Sequence, residues 1–255
     1  MCNIENNNLI NRDNQFIYCN DKNKRKEYLM SIEKDNPIVM NSQTPIVVYT
    51  NDFSLDKEKK LHFDRNYMLS KISSEHLNFS LLKSTIEKIL SQDDLKISLE
   101  KAKDFLRFIE KISFDKELKL SSLEELLDYL KESCYFYKEY YNDFVRKEST
   151  KKDILDLKLS NVTYESMIYK IKKMLNNSSY FVLVFDKQKD ISVNTARSIN
   201  NLILNRNSND LSIKVACEEK SWPTYSNQND IKILEGIDFE SVKLSDKGIQ
   251  YIKKR

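Results

Sequence analysis

Glycine is nearly missing from this 255-residue chain: there are two, Gly236 and Gly248, and both lie near its end. Glycine supplies positive φ and lets backbone approach a phosphate closely, so a glycine-rich phosphate loop is excluded before residue 236. Histidine is almost as scarce. His62 and His76 are the only two, and the four cysteines (Cys2, Cys19, Cys134 and Cys217) are far apart with no Cys-x-x-Cys spacing. That combination argues against a closed zinc site and against a disulfide framework. Cys217 ends an apolar run and reads as a small core residue rather than a nucleophile. No apolar run has the length of a membrane span, and the amino terminus lacks a signal-peptide core. An intracellular, cytoplasmic, soluble protein without a membrane partner is the expectation.

Large charge imbalance is absent too. The formal net charge is +3, so composition makes no broad case for nucleic acid or an anionic membrane. The local basic runs Lys22 to Lys26, Lys170 to Lys173 and Lys253 to Arg255 read as solvated faces or tails. With 32% charged and 40% apolar residues, the chain can bury a sizeable core.

What is present is organised around Ser179 to Cys217. The run Tyr180-Phe181-Val182-Leu183-Val184-Phe185 is apolar at every position and stops at Asp186. Such a strand is apolar on both faces, as a central parallel strand requires. A helical pattern capped by Ser192 follows, with Ala196, Ile199, Leu202 and Ile203 on one face, then a second strand from Leu211 to Cys217. Open α/β sheets place ligand chemistry at the carboxyl ends of their strands, which makes Asp186 the first candidate site residue.

Elsewhere, residues 1 to 15 read as a loose arm and 16 to 255 as a single α/β domain. Phe16 to Tyr18 predicts a short strand, followed by a basic helix near Lys24 to Glu33. Pro37 to Met40 and Pro45 to Tyr49 predict a hairpin or two neighbouring strands. Residues 51 to 72 carry few signals, and the chain turns helical from Ser74. Leu82, Ile86 and Ile89 form one stripe, and Leu95, Leu99, Ala102, Leu106 and Ile109 form another. Ser122 with Glu125 is a capping box, opening a helix with Leu123, Leu126, Leu127, Leu130, Cys134, Tyr137, Tyr141 and Phe144 on its apolar side. Tyr129, Phe136 and Tyr140 lie on a second face of that helix. They read either as a second buried side or as a docking surface for a protein partner, with single-stranded nucleic acid disfavoured by Glu132, Glu139 and Asp143 among the rings. A helix from about Thr163 to Leu175 turns Met167, Ile168, Ile171 and Met174 inward. A β-like run at Phe239 to Leu244 and a basic helix or tail close the chain. The order predicts a mostly parallel α/β sheet, with residues 74 to 160 a helical insertion, subdomain or layer.

An apolar strand ending in an acid has the outline of a Walker B element, in which the aspartate holds the Mg²⁺ of a nucleotide. Here Lys187 follows Asp186 where many ATPases place a glutamate base, and a lysine is protonated at neutral pH. The P-loop pattern is missing: Asn41-Ser42-Gln43-Thr44, after Pro37 to Met40, has neither glycine nor lysine. Phe181 to Asp186, then Asn200-Asn201-Leu202-Ile203 with Arg206, then Leu211 to Ala216, resembles bacterial ORC-type AAA+ ATPases over about residues 179 to 244. The resemblance implies a P-loop NTPase-like sheet, a Walker B role for Asp186 toward ATP and Mg²⁺, and a sensor role for the Cys217-Glu218 region. Without the phosphate loop and the second acid it implies a degenerate member that has lost hydrolysis. The winged-helix DNA-binding domain of initiators has no counterpart before Arg255. Two other readings stand beside it: a Mg²⁺-dependent enzyme in which Asp186, Asp190 and Glu218 cluster, and a DNA-associated protein.

Overall fold

A computed structural model describes residues 13–34, 45–50, 63–92, 97–113, 117–145, 164–175, 180–186, 191–206, 210–245 and 248–251. The chain forms two compact units, one from Met1–Ser54 with Ser179–Arg255 and the other from Leu55–Ser178. It is an α/β protein whose sheet is mostly parallel. No helix among the described residues is long and apolar enough to cross a membrane.

The first unit contains the sheet. Its elements are β1 (Gln15–Tyr18), α1 (Lys22–Lys34), β2 (Pro45–Thr50), β3 (Tyr180–Asp186), α6 (Val193–Leu204), β4 (Leu211–Cys217), β5 (Glu240–Ser245) and β6 (Gly248–Tyr251). The strand order is β2-β3-β4-β1-β5-β6. Only the β5–β6 pair is antiparallel. β1 is the shortest candidate strand in the sequence, yet it sits centrally, with Phe16 opposite Val215 on one side and Ser241 on the other. The carboxyl-terminal segment expected to be a helix or tail instead includes the edge strand β6, whose Ile249 reaches the core beneath α1.

Alternation along the strands divides the core into two faces. On one, Tyr28, Leu29 and Ile32 of α1 pack on Ile17, Val182, Val184, Ala216, Val242 and Leu244. On the other, Phe16 meets Trp222, Tyr225 and Phe239 at centroid distances of 5.4, 5.4 and 4.7 Å. These three rings belong to the long connection between β4 and β5. α6 fastens that connection: Asn200 Nδ2 donates to the carbonyls of Thr224 and Ser226, and Trp222 Nε1 donates to Asn200 Oδ1. Ser192 caps α6 as expected, accepting from the Thr195 amide at 3.0 Å. With glycine so scarce, two tight left-handed positions in this connection fall to Lys220 (φ 63°) and Asp230 (φ 59°) alongside Gly236 (φ 82°).

The second unit holds α2 (Phe63–Leu90), α3 (Leu99–Ile112), α4 (Leu123–Val145) and α5 (Tyr164–Leu175). α2 begins well before Ser74. Its early turns bury Leu69 and Ile72 together with Ser73, a polar residue that weakens the apolar period ahead of Ser74. Leu99, placed in the apolar stripe of α3 by spacing, is 82% exposed at the first position of the helix; Leu95 lies outside the described residues. The remaining stripe residues, Ala102, Leu106 and Ile109, are buried. Glu125 and Ser122 close the start of α4: the Glu125 amide donates to Ser122 Oγ, and the Glu125 carboxylate accepts from the Ser121 amide. α4 lies against α2 with Phe79 and Tyr137 at 5.3 Å. Leu127 and Phe144 are only half-buried, and so are Tyr129 and Tyr140, whereas Phe136 is exposed. All four apolar residues expected inward on α5 are buried.

One buried charge in the sheet sets a testable pH response. Lys214 of β4 is 1% exposed and donates from Nζ to the Asp13 carbonyl at 2.7 Å, beside a second donor, Ser212 Oγ. Burial lowers its pKa to about 7, with Arg206 adding to the fall while Asp13 and Glu240 oppose it. The folded value lies below the unfolded one, so the unfolded chain binds the extra proton. The resulting penalty is complete below about pH 7 and is relieved as pH rises toward the ordinary 10.5. Denaturant melts of Lys214→Met should therefore show higher stability than the parent at pH 7, with the difference shrinking by pH 10. A difference that grows with pH would contradict the assignment.

Candidate functional site

The site is built at the carboxyl end of β1. Its own connection, through α1, leads toward β2, whereas the connection from neighbouring β4 leads past it to β5. Connections that diverge from adjacent parallel strands open a crevice between them, the usual ligand position of such sheets. In this chain the crevice is laced by its own atoms. The Cys19 amide donates to the Cys217 carbonyl at 3.0 Å, and the Glu219 amide donates to Asn20 Oδ1 at 3.1 Å.

Asp21 comes next, at the start of α1. Its Oδ1 accepts from the amides of Asn23 (2.9 Å) and Lys24 (3.1 Å). A helix N-terminus offers unsatisfied amides and a positive pole to an anion, and here the chain's own carboxylate takes that place. One turn into α1, Arg25 is 1% exposed. Its Nε donates to Asp186 Oδ1 at 2.8 Å, and its Nη1 donates to the Cys19 carbonyl at 3.2 Å. The Asp186 side chain is itself 8% exposed. A guanidinium suits this role because it stays charged and offers several donors in one plane. Arg25 thus ties the end of β3, the turn after β1 and the first turn of α1 together.

A cavity of about 220 Å³ lies beside this arrangement, between the turn after β1 and the end of β5. Lys24 and Lys243 line it together with Asp21 and Glu219, so its charges balance. They are engaged within the protein: Lys24 Nζ donates to the Ser245 carbonyl, and Lys243 Nζ pairs with Glu219 at 2.8 Å. That lysine holds the Glu219 carboxyl below its ordinary range. Tyr18, also in the lining, shares a hydroxyl–hydroxyl hydrogen bond of 2.8 Å with Tyr225. Burial pushes both phenols up, so they remain neutral at physiological pH and serve as hydrogen-bonding groups rather than bases.

The residues singled out by sequence fall in different places. Asp186 ends β3 beside this crevice, and its ion pair reaches across 161 residues. Cys217 is buried at the end of β4; Glu218 follows it with an exposed side chain, and its carbonyl accepts from Ser221. Lys187 and Asp190 lie outside the described residues, as does Asn41 to Thr44. Among the described residues no group of three or more His, Cys, Asp and Glu side chains is placed to hold a metal ion. Tyr129, Phe136 and Tyr140 belong to the helical unit.

Asp21, Asn20 and Arg25 are the contributors that sequence reasoning missed. The run Lys22 to Lys26 reads as a solvated face, but its arginine is buried against Asp186. A signal was available: Asp21, three residues past a short apolar strand and followed by Asn23 and Lys24, is a helix N-cap near a strand's carboxyl end. Neither a family model nor a curated protein matches the chain.

Removing one member of a buried ion pair leaves the other charge without compensation, at a cost of about 3–5 kcal/mol. Arg25→Met should lower the unfolding free energy by that order in urea titrations. The double variant Arg25→Met with Asp186→Leu should recover most of the loss, since similar-sized apolar residues replace such pairs with little change. Equal losses in the single and double variants would show that Arg25 acts through packing rather than through its charge.

Proposed function

We propose that this chain is a catalytically degenerate AAA+ ATPase-like protein that serves as a regulatory or protein-binding module in the cytoplasm and does not hydrolyse ATP. The observation that carries this reading is the buried Arg25–Asp186 pair. In a working site the Walker B aspartate presents its oxygens to Mg²⁺. Here one of those oxygens already accepts from an arginine of the same chain, which supplies the positive charge that the metal would bring.

Two further observations support it. The parallel strands in the order β2-β3-β4-β1-β5 support a nucleotide-binding type of sheet, with the turn after β1 at the same end of the sheet as Asp186. That turn, Cys19-Asn20-Asp21, contains no glycine, and its aspartate caps the amides that a phosphate loop would direct at a nucleotide. A triphosphate would meet a carboxylate at the helix start and a cavity whose lysines are already engaged. In the sensor-like region, Cys217 is buried in the core and Glu218 is exposed.

A second reading has one observation in its favour. Asp186 does stand at the carboxyl end of a parallel strand, so a nucleotide with Mg²⁺ that displaced Arg25 would find a carboxylate in place. Melting curves with ATP or ADP, with and without Mg²⁺, separate the two. The degenerate reading expects no upward shift with either nucleotide at millimolar concentration. A ligand present at 100 times its dissociation constant stabilises by about 2.7 kcal/mol, a shift of several degrees, and such a shift that vanishes in Asp186→Asn would establish the second reading.

A further inference from the structure

We infer that the outward face of α4 is a docking site for a cationic amphipathic helix of a partner protein. The inference rests on the protein-binding reading above and gives its partner a chemistry. At 100° per residue, Asp128, Glu132, Glu139 and Asp143 fall along one stripe of α4, with Tyr135 at one edge and Phe136 and Tyr140 at the other. All four acids are exposed, and Tyr135 and Phe136 are 68% and 41% exposed. The stripe is thus a line of carboxylates between two aromatic margins.

The rings on the second margin are ordered. Phe136 and Tyr140 stack at 6.3 Å and Tyr140 and Phe144 at 6.2 Å, one helical turn apart each time. Rings held in register present a fixed apolar surface at small entropic cost on binding. Charge selects what lies on it. The basic residues of α4, Lys131 and Lys138, lie beyond the Tyr135 margin, and Lys131 is already 3.1 Å from Asp128. The last turn of α4 has no basic residue, so Asp143 stands at the negative pole of the helix dipole, where a cation is favoured. Lysines or arginines of a partner would pair with Glu132, Glu139 and Asp143 and cover the ring faces, while its apolar side meets Phe136 and Tyr140. The same acids repel the phosphates of a nucleic acid.

Calorimetric titration of the full chain tests this with two probes of equal charge: a peptide with Lys and Leu at helical spacing, and an oligolysine. The amphipathic peptide should bind about tenfold or more tightly than oligolysine, and more weakly at raised salt. Glu132→Gln with Glu139→Gln, and separately Tyr135→Ala with Phe136→Ala, should each weaken it by about tenfold or more. Melting curves will establish that these variants remain folded, and their exposed positions favour that. The proposal is overturned by absence of peptide binding, or by binding indifferent to both double variants. Oligothymidine binding lost in Tyr135→Ala, or a dimer in sedimentation abolished by the same substitutions, would give the face to another occupant and overturn it equally. Peptide failure combined with an absent nucleotide response would sink this face and leave the degenerate reading of Asp186 standing. A nucleotide response combined with peptide binding would do the reverse.

Discussion

The buried pair of Arg25 and Asp186 is the interaction on which the sheet unit depends. A carboxylate at the end of an apolar central strand is costly to bury unless something compensates it. Mg²⁺ with a nucleotide is one compensation, and a guanidinium from the same chain is another. This chain uses the guanidinium, and the choice propagates. Arg25 sits one turn into α1, so the helix start must approach β3, and the turn between β1 and α1 must be short and closed. Asp21 closes it by capping the amides, and Asn20 fastens it to the segment after β4.

The scarcity of glycine belongs to the same account. A phosphate loop needs backbone that can turn its amides outward around an anion. Between Tyr18 and Arg25 the chain instead offers side chains that satisfy those amides internally. Where left-handed backbone is unavoidable, in the connection between β4 and β5, Lys220 and Asp230 adopt it as well as Gly236. That connection is not loose. The amide of Asn200 and the rings of Trp222 and Tyr225 hold it to α6 and to Phe16, so the side of the sheet opposite α1 is covered by an ordered segment.

Strand type and helix type were legible where local pattern and tertiary role agree. β3 and β4 are apolar enough to announce central strands, and the caps at Ser192 and Ser122 mark real helix starts. β1 was legible as a strand but not as the centre of the sheet. Four residues carry no hint of which strands will flank them, and only the pairing with β4 and β5 gives Phe16 its position. α2 starts eleven residues before a helical pattern becomes legible, because its early turns mix polar residues with the buried Leu69 and Ile72. In the site, Asp186 was visible because its strand is unambiguous. Arg25 was not, since a single arginine within a basic run resembles its solvated neighbours until a carboxylate distant in sequence is folded against it.

The central proposal is that the chain's own cation takes the place a metal would have at Asp186. Titrating Mn²⁺ into the full chain with ATP, and following the ion by electron paramagnetic resonance, addresses it most directly. The account predicts the spectrum of Mn²⁺–ATP in solution, unchanged by the protein. A protein-bound Mn²⁺ signal that is present in the parent chain and lost in Asp186→Asn would contradict it.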